Sequence, residues 1–264
     1  MKINFLNSYG NTIDHIIFHS IAYATVDKRE EDYALDNGWM KMPYSPNKNI
    51  TNKENIWLQI RLSRINLKKF KWKADDRRIF KKFKKDYSYE VKNVNEIIPK
   101  ERRQLKDIYF KYIKKKSFLK TPSLEDTKAY EYEFKYFFLD SDNKKIVLHY
   151  FKSKLIAFAI IEEFKKSIMG IQFAWDYERP HLRIGIMQNN IIADLYKSKN
   201  IDYYYLGMSY GKECVYKNRY YGFEFWTGKE WKTNKLEYRK MCMKDSMIKN
   251  FEDLELLNDY YIYE

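Results

Sequence analysis

The sequence predicts an α+β fold, and three patterns in its apolar residues support that prediction. Apolar residues alternate with other residues across positions 56–62, which is the period of a strand. They recur at helical spacing across positions 101–119, which is typical of an amphipathic helix. Three further strand-like runs occupy positions 145–151, 154–163 and 167–176, and the short polar joins between them predict neighbouring antiparallel strands.

Helix-start signals add two elements ahead of those strands. Paired acids at positions 75–76 stand directly before Arg77 and Arg78, and acids favour the positive end of a helix dipole. Ser123, followed by Asp126, resembles a capping box for a second helix that runs to about position 138. The sequence therefore predicts a helix in the basic stretch after position 70 and a pair of helices before the strands.

The order of elements in the C-terminal half is the strongest indication of fold. The three strands are followed by a helix at about 186–198 and a strand at 201–206. An antiparallel meander, a helix and a parallel return strand form the central part of the GNAT-type acyltransferase fold. We therefore expect a GNAT-like domain over residues 96–264, with a smaller basic region over residues 1–95 packed on it.

The composition favours a folded, basic protein. Hydrophobic residues make up 45% of the chain, including 25 Tyr and 17 Phe, so a core can form and a disordered chain is excluded. Fifty Lys and Arg against 36 Asp and Glu give a net charge of +14. Such an excess favours polyanions such as nucleic acids, although a lysine-rich surface that only keeps the protein in solution is the alternative.

The sequence predicts neither a metal site nor a membrane-spanning segment. The two cysteines, Cys214 and Cys242, exclude a disulfide scaffold and a multi-cysteine metal site. His15 and His19 are four residues apart, and such an isolated pair is more often structural than metal-binding. No apolar run approaches a membrane-spanning length, and the N-terminus lacks a signal-peptide core. We expect a cytoplasmic protein without a metal and without a membrane partner.

Two segments carry recognisable motifs. Residues 63–82 hold Arg64, Ile65, Phe70 and the pair Arg77-Arg78, and upstream stand Gly38-Trp39 and Tyr44-Ser45-Pro46. Residues 173–231 hold Trp175-Asp176, the turn from Leu182 to Gly185, Tyr204-Tyr205-Leu206-Gly207, Cys214, Tyr216-Lys217 and Trp231. In their order and spacing these pieces resemble the arginyl/leucyl-tRNA–protein transferase family, over about residues 31–231.

The resemblance implies an aminoacyltransferase that moves an amino acid from charged tRNA to the α-amine of a protein or peptide. Aminoacyl-tRNA is then the co-substrate, and no other cofactor is expected. Two features depart from the family pattern. The N-terminal cysteine cluster of many arginyl members is missing, and Cys214-Val215 stands where many members have Cys-Pro. These departures leave open which amino acid is transferred and which amine accepts it.

The candidate catalytic residues are Asp176 and Glu178, at the end of a predicted core strand. Aminolysis of an ester needs a positioned amine, a held carbonyl and a group that takes a proton from the amine. A carboxylate at a strand end is suited to that last task. The alternative is that these acids are turn formers or surface charges.

The candidate tRNA-binding residues fall into two groups. Arg77, Arg78 and Lys81, with neighbouring lysines, suit the phosphates of an acceptor stem, or else form a solvated helix face. Basic residues interleaved with tyrosines are suited to an unpaired 3′ end, or else form the edge of a core. That second group comprises Tyr205, Tyr210, Tyr216, Lys217 and Arg219. Arg64, at a strand end, binds substrate or forms a structural ion pair.

Two other functions remain as alternatives. An acetyl-CoA-dependent N-acetyltransferase of the same fold would hold its pyrophosphate on the amides of the helix that Gly185 precedes. The turn there reads RIGIMQNN, with a single glycine where coenzyme A binding favours several. That fits a site for a different donor, so Gly185 is a candidate substrate- or tRNA-binding residue, or else it only allows a tight turn. A tRNA-binding protein that kept the fold without the chemistry is the second alternative.

Overall fold

The computed structural model of the protein describes residues 1–11, 16–41, 56–116, 124–138 and 143–248. The Tyr44-Ser45-Pro46 stretch, the cap predicted at Ser123 and His15 lie outside the described residues. In chain order the elements are β1 (Lys2–Asn11), β2 (Ile16–Thr25), α1 (Glu31–Asp36), β3 (Trp39–Lys41), β4 (Ile56–Gln59), β5 (Leu62–Asn66), α2 (Ala74–Phe83), β6 (Tyr87–Asn93), α3 (Pro99–Lys116), α4 (Leu124–Tyr136), β7 (Lys144–Phe151), β8 (Lys154–Glu163), β9 (Ser167–Trp175), α5 (Ile184–Ser198), β10 (Tyr203–Met208), β11 (Phe223–Trp226), β12 (Trp231–Lys232) and α6 (Lys235–Asp245).

The chain forms two compact units, and each combines segments that are distant in sequence. Unit 1 comprises Met1–Lys71, Lys165–Ser167 and Asp202–Glu264, and unit 2 comprises Trp72–Phe164 and Ile168–Ile201. The predicted division into residues 1–95 and 96–264 stays a prediction.

Unit 1 contains two groups of antiparallel strands. The first has the order β1-β2-β4-β3. The second has the order β12-β11-β5-β10. Helix α6 places Tyr238 and Cys242 against Phe223 and Phe225 of β11, and these four buried side chains form a core cluster. Strand β5 lies between β11 and β10, so its backbone is paired along both edges.

Unit 2 is built on the antiparallel strands β6, β7, β8 and β9. Helices α3 and α4 bury their apolar stripes in one core cluster with β7 and β8, in which Tyr109 and Phe158 are fully buried. A second cluster joins Phe83 of α2 and Met187 of α5 to Ile156 of β8. The helices at positions 74 and 184 are thus fixed to the same strand.

Most predicted elements of the C-terminal half are confirmed. The amphipathic helix is α3, whose buried face carries Leu105, Ile108, Tyr109 and Tyr112. The meander is β7, β8 and β9, followed by α5 and the return strand β10. The amide of Asp202 donates to the carbonyl of Lys166 at 2.9 Å, which sets the residues that precede β9 and β10 side by side, as a parallel return requires. The fold is α+β and GNAT-like in this element order.

The single strand predicted over residues 56–62 was wrong. Two strands occupy this stretch, and β4 and β5 belong to different groups of strands. The break falls at Ile60 and Arg61, where the amide of Ile60 donates to Gly38 and the side chain of Arg61 turns to a buried carboxylate. Apolar residues continue to alternate with other residues across the break, so the pattern alone did not reveal it.

No helix in the described part of the chain is both long enough and apolar enough to span a membrane. The cytoplasmic location stays a prediction.

Candidate functional site

Helix α2 presents a continuous basic face in unit 2. Its apolar side, with Ile79, Phe80 and Phe83, contributes to the core. The cationic side chains on the other side are exposed, and they are Arg77, Arg78, Lys81 and Lys82, followed by Lys84 and Lys85 in the next turn. Residues four apart lie on one side of a helix, so these side chains form one surface. Only Arg78 has an ion pair among them in the described residues, a 3.4 Å contact with Asp75.

One acid at the start of α2 points inward and fixes the helix. Asp76 is buried, its carboxylate lies 3.7 Å from the guanidinium of Arg183, and Asn190 of α5 donates to it at 3.5 Å. Trp72, just before the helix, donates its indole N–H to Asp194 of α5. Helix α2 is thus anchored through Asp76 and Trp72, and the exposed cations on its outer side take no part in this anchoring.

Asp176 closes the turn that follows β9. Its carboxylate accepts hydrogen bonds from the amide of Glu178 at 3.0 Å and from the guanidinium of Arg179 at 3.1 Å. Its own amide donates to Ile156 of β8. Asp176 is thus mostly occupied in shaping the turn, whereas Glu178 is exposed on it. Their catalytic roles stay predictions, and of the two only Glu178 has an open carboxylate.

Three aromatic rings meet beside this turn. The rings of Tyr112 and Tyr177 stack with centroids 5.7 Å apart and planes at 11°. Trp175 lies 4.6 Å from Tyr112 and 5.2 Å from Tyr177. We call these three side chains the aromatic platform.

Gly185 lies under the platform, inside the first turn of α5. A Cβ on this residue would meet the indole ring of Trp175 at 2.8 Å, so the close approach of the ring requires glycine. The helix begins one residue before Gly185, after Arg183 in the left-handed region at φ 49°. The expectation that Gly185 precedes the helix was therefore wrong by a residue or two.

Arg64 of β5 is enclosed by partners in unit 1. Its guanidinium donates to Glu224 at 2.8 Å, pairs with Asp36 and lies 3.1 Å from the hydroxyl of Tyr205. Its plane lies between the rings of Tyr203 and Trp231, 3.7 and 3.8 Å from their centroids. This geometry favours the structural ion pair over a substrate contact, because the side chain is buried and its guanidinium already has two carboxylate partners and a hydroxyl partner.

Arg61 has a similar environment at the start of β5. Its guanidinium pairs with Asp245, donates to the carbonyl of Ser209 at 2.8 Å and lies 4.4 Å from the ring centroid of Tyr210. The hydroxyl of Tyr210 accepts the amide hydrogen of Arg61, and burial raises the pKa of Tyr210 to about 12. Tyr205 and Tyr210 are both buried in these networks, so neither offers a ring face to a ligand.

The other predicted residues of this group lie in the helical segment Lys212–Arg219. Lys217 is buried and donates to the carbonyls of Leu206 and Met208, so its ammonium group caps the end of β10. Tyr216 is exposed, and Arg219 is half-buried near the ring of Tyr220. The segment is thus a core edge for Lys217 and a surface for Tyr216.

Sequence reasoning missed the partners of the buried arginines and the outer ring of the platform. Asp36, Glu224 and Asp245 are distant in sequence from the arginines that they bind, and no local motif pairs them. Tyr177 lies between Asp176 and Glu178, and its stacking on Tyr112 depends on helix α3. In the described residues no group of three His, Cys, Asp or Glu side chains is placed to hold a metal ion.

Residues 104–227, just under half of the chain, match the family described as the C terminus of arginine-tRNA-protein transferase. Over this segment the chain is similar to that family. The matched segment contains the platform and the turn after β9, and it contains β10 and the segment Lys212–Arg219. Helix α2 lies outside it, so the family match says nothing about the basic face.

Solved structures resemble the chain only distantly. L-PGS from Bacillus licheniformis is 13% identical, with a TM-score of 0.41 over 69% of this chain and 52% of that one. The C-terminal domain of a putative lysylphosphatidylglycerol synthetase from Agrobacterium fabrum is 14% identical, with a TM-score of 0.38 over 69% of this chain and 51% of that one. PaiA N-acetyltransferase from Thermoplasma acidophilum, in complex with coenzyme A, is 15% identical, with a TM-score of 0.35 over 43% of this chain and 75% of that one.

The chain spans about half the length of the first two of these structures. At such identities and TM-scores these similarities are no guide to what this chain binds or does. No curated protein matches the sequence.

Proposed function

We propose that the protein transfers an amino acid from charged tRNA to the α-amine of a protein or peptide. The observation that carries the proposal is the match of residues 104–227 to the arginine-tRNA-protein transferase family, whose name specifies the tRNA donor and the protein acceptor. The turn after β9, strand β10 and the platform all lie inside the matched segment.

The chemistry asks little of the side chains. The acceptor amine attacks the ester carbonyl, a carbon–nitrogen bond forms, and the ester oxygen leaves as a ribose hydroxyl. One proton must move from the amine to that oxygen. Glu178, exposed on the turn after β9, is suited to carry it, since its carboxylate is open to a substrate. Asp176 acts as a positioning residue, because it holds the amide of Glu178 in place.

The basic face of α2 supports the polyanionic donor. Six exposed cations occupy its residues and the following turn, and the buried side of the helix is anchored to α5. Lysine and arginine on a rigid helix contact phosphates in any sequence, which suits an enzyme that must bind a charged tRNA.

The start of α5 argues against coenzyme A as the donor. The amides of Arg183, Ile186 and Met187 donate to backbone carbonyls at 3.0, 2.9 and 3.0 Å. The indole ring of Trp175 lies against Gly185 in the same turn. A pyrophosphate would need free amides at a helix N-terminus, and this turn offers few.

The test is transfer of labelled amino acids from a mixed pool of charged tRNAs, with a cell lysate as the acceptor. We expect label on protein or peptide amines, and repeats with single amino acids identify the donor. Glu178→Gln should reduce kcat with little change in KM, whereas an exposed acid away from the turn, Glu90→Gln, should leave both unchanged. Turnover of acetyl-CoA without aminoacyl transfer would establish the acetyltransferase instead. Equal affinity for charged and uncharged tRNA, without transfer, would establish the tRNA-binding protein.

A further inference from the structure

The aromatic platform presents one open ring face. Tyr112 is 4% exposed and contributes to the core, whereas Tyr177 is 37% exposed and stacks on it from outside. Trp175 flanks both rings and is half-buried. A flat ring that is already supported from behind can accept another flat ring on its outer side with little loss of side-chain freedom.

Three independent contacts hold the platform in shape. Tyr112 is fixed by the buried stripe of α3. Trp175 is fixed by its approach to Gly185, which only a residue without a Cβ allows. Tyr177 is held in the turn that Asp176 closes through its bonds to Glu178 and Arg179. The rings are therefore preorganised, which lowers the ordering cost when a ligand binds.

Cations lie beside the platform and on the turns of α3 next to Tyr112. The ammonium group of Lys116 lies 5.3 Å from the ring centroid of Tyr112. Lys111, Lys114 and Lys115 are exposed on the same last turns of α3. Arg179 is half-buried beside the turn and directs one nitrogen to Asp176. Aromatic faces with cations beside them bind single-stranded nucleic acids, because the rings stack on bases and the cations contact phosphates.

We propose that Tyr177, supported by Tyr112 and Trp175, stacks against an unpaired nucleobase of single-stranded RNA, with the lysines of α3 beside its phosphates. The inference rests on the proposed function, for which the base is the 3′-terminal base of the charged tRNA. It names a subsite of unit 2 distinct from the tyrosines of unit 1 that the sequence indicated. The open carboxylate of Glu178 is the next residue along the chain, so a stacked terminal base would lie close to the proposed proton carrier.

The test is titration of the full chain with the RNA trinucleotide CCA, followed by quenching of tryptophan fluorescence. Trp175→Phe identifies the part of the signal that comes from the platform. We expect Tyr177→Ala to weaken binding by about tenfold, a typical loss for one stacked base. Tyr177→Phe should bind within about twofold of the native protein, because the ring is kept and only the hydroxyl is lost.

The control is Tyr89→Ala, which removes an exposed tyrosine of β6 in the same unit and should change nothing. Equal binding by native protein and Tyr177→Ala overturns the inference, and so does quenching of Trp175 by coenzyme A without quenching by CCA. Failure of CCA binding while charged tRNA still supports transfer sinks the inference and leaves the proposed function standing. Binding of CCA that depends on Tyr177, without any transfer, supports the inference and removes the proposed function.

Discussion

Two arginine-bearing segments of the chain look alike in sequence and differ completely in structure. Arg61, just before β5, and Arg64 of β5 are each only 4% exposed, and each guanidinium pairs with a buried carboxylate and donates to a further protein oxygen. Arg77 and Arg78 of α2 are exposed, and Arg78 pairs with Asp75 of the same helix. The first pair is committed to the fold of unit 1. The second pair is available to a ligand of unit 2.

The difference is one of surroundings rather than residue type. A buried guanidinium must be neutralised and fully hydrogen-bonded, because desolvation of an unpaired charge costs several kcal/mol. Arg61 meets that need with Asp245 of α6, and Arg64 meets it with Asp36 of α1 and Glu224 of β11. A helix face that remains in water has no such need, so its cations can pair with the charged groups of a ligand. Four predictions test this contrast, from the largest effect to the smallest.

The largest effect is expected from loss of Arg61. Arg61→Ala leaves Asp245, which is 1% exposed, as an uncompensated buried charge. We expect a loss of about 3–5 kcal/mol in the free energy of unfolding, the usual result of breaking a buried pair. Urea denaturation measures it. The paired change Arg61→Met with Asp245→Leu should recover most of the loss, and a double variant as unstable as the single one would show that the pair is not what stabilises unit 1.

The pH dependence of stability extends the same contrast to histidine. His149 is completely buried, its Nδ1 meets the hydroxyl of Tyr87, and burial lowers the pKa of its imidazole to about 3. The unfolded chain takes up this proton below about pH 6.5, whereas the folded chain does so only near pH 3. Stability is therefore lost as the pH falls through this window, by about 2–3 kcal/mol between pH 7 and 4.5.

Removal of the buried imidazole checks the direction of that dependence. His149→Phe should flatten the fall in unfolding free energy between pH 7 and 4.5, even though the Tyr87 hydroxyl, left without its partner, makes the variant less stable at pH 7. His181→Phe, at an exposed position, is the matched control and should keep the native slope. A native slope in the His149 variant would contradict the burial argument.

Arg64 separates a structural role from a tRNA contact. Arg64→Met leaves Glu224 buried, with Lys69 at 3.8 Å as its remaining cation, while Asp36 is exposed enough for water to replace its partner. We expect a loss of about 2 kcal/mol in unfolding free energy, the size of a lost charged hydrogen bond. The affinity of the folded variant for tRNA should be unchanged in filter binding. Native stability with weakened tRNA binding would instead make Arg64 a ligand contact.

The sequence predicted the fold better than it predicted the site. Element order from β7 to β10 followed from short periodic runs with polar joins, because local patterns determine such elements. Strands β6, β11 and β12 were not predicted, because pairing with other strands rather than a local pattern defines them. In the site, the exposure of the α2 cations was anticipated from helical spacing. The burial of Tyr205, Tyr210 and Lys217 depends on contacts that no local pattern records.

The smallest effect on stability and the clearest effect on binding are expected at α2. Lys81→Glu with Lys82→Glu should leave the unfolding free energy within about 0.5 kcal/mol of the native value, since both side chains are exposed. The affinity for tRNA should fall by about tenfold or more. The slope of log affinity against log salt should become shallower by about two, one for each phosphate that a lysine no longer neutralises. Binding measured at several salt concentrations gives both quantities.

The matched control decides whether α2 itself or the overall charge is responsible. Lys128→Glu with Lys135→Glu changes the net charge equally at two exposed lysines of α4, a helix of the same unit that packs in a different core cluster. If long-range attraction alone holds the tRNA, the two double variants should lose the same affinity and the same salt slope. If phosphates lie on the basic face, the α2 variant should lose much more of both, because only phosphates that the protein neutralises release their counterions. Equal losses in the two double variants would show that α2 is only a solvated helix face, and that its arginines do not differ from those near β5 in binding a ligand.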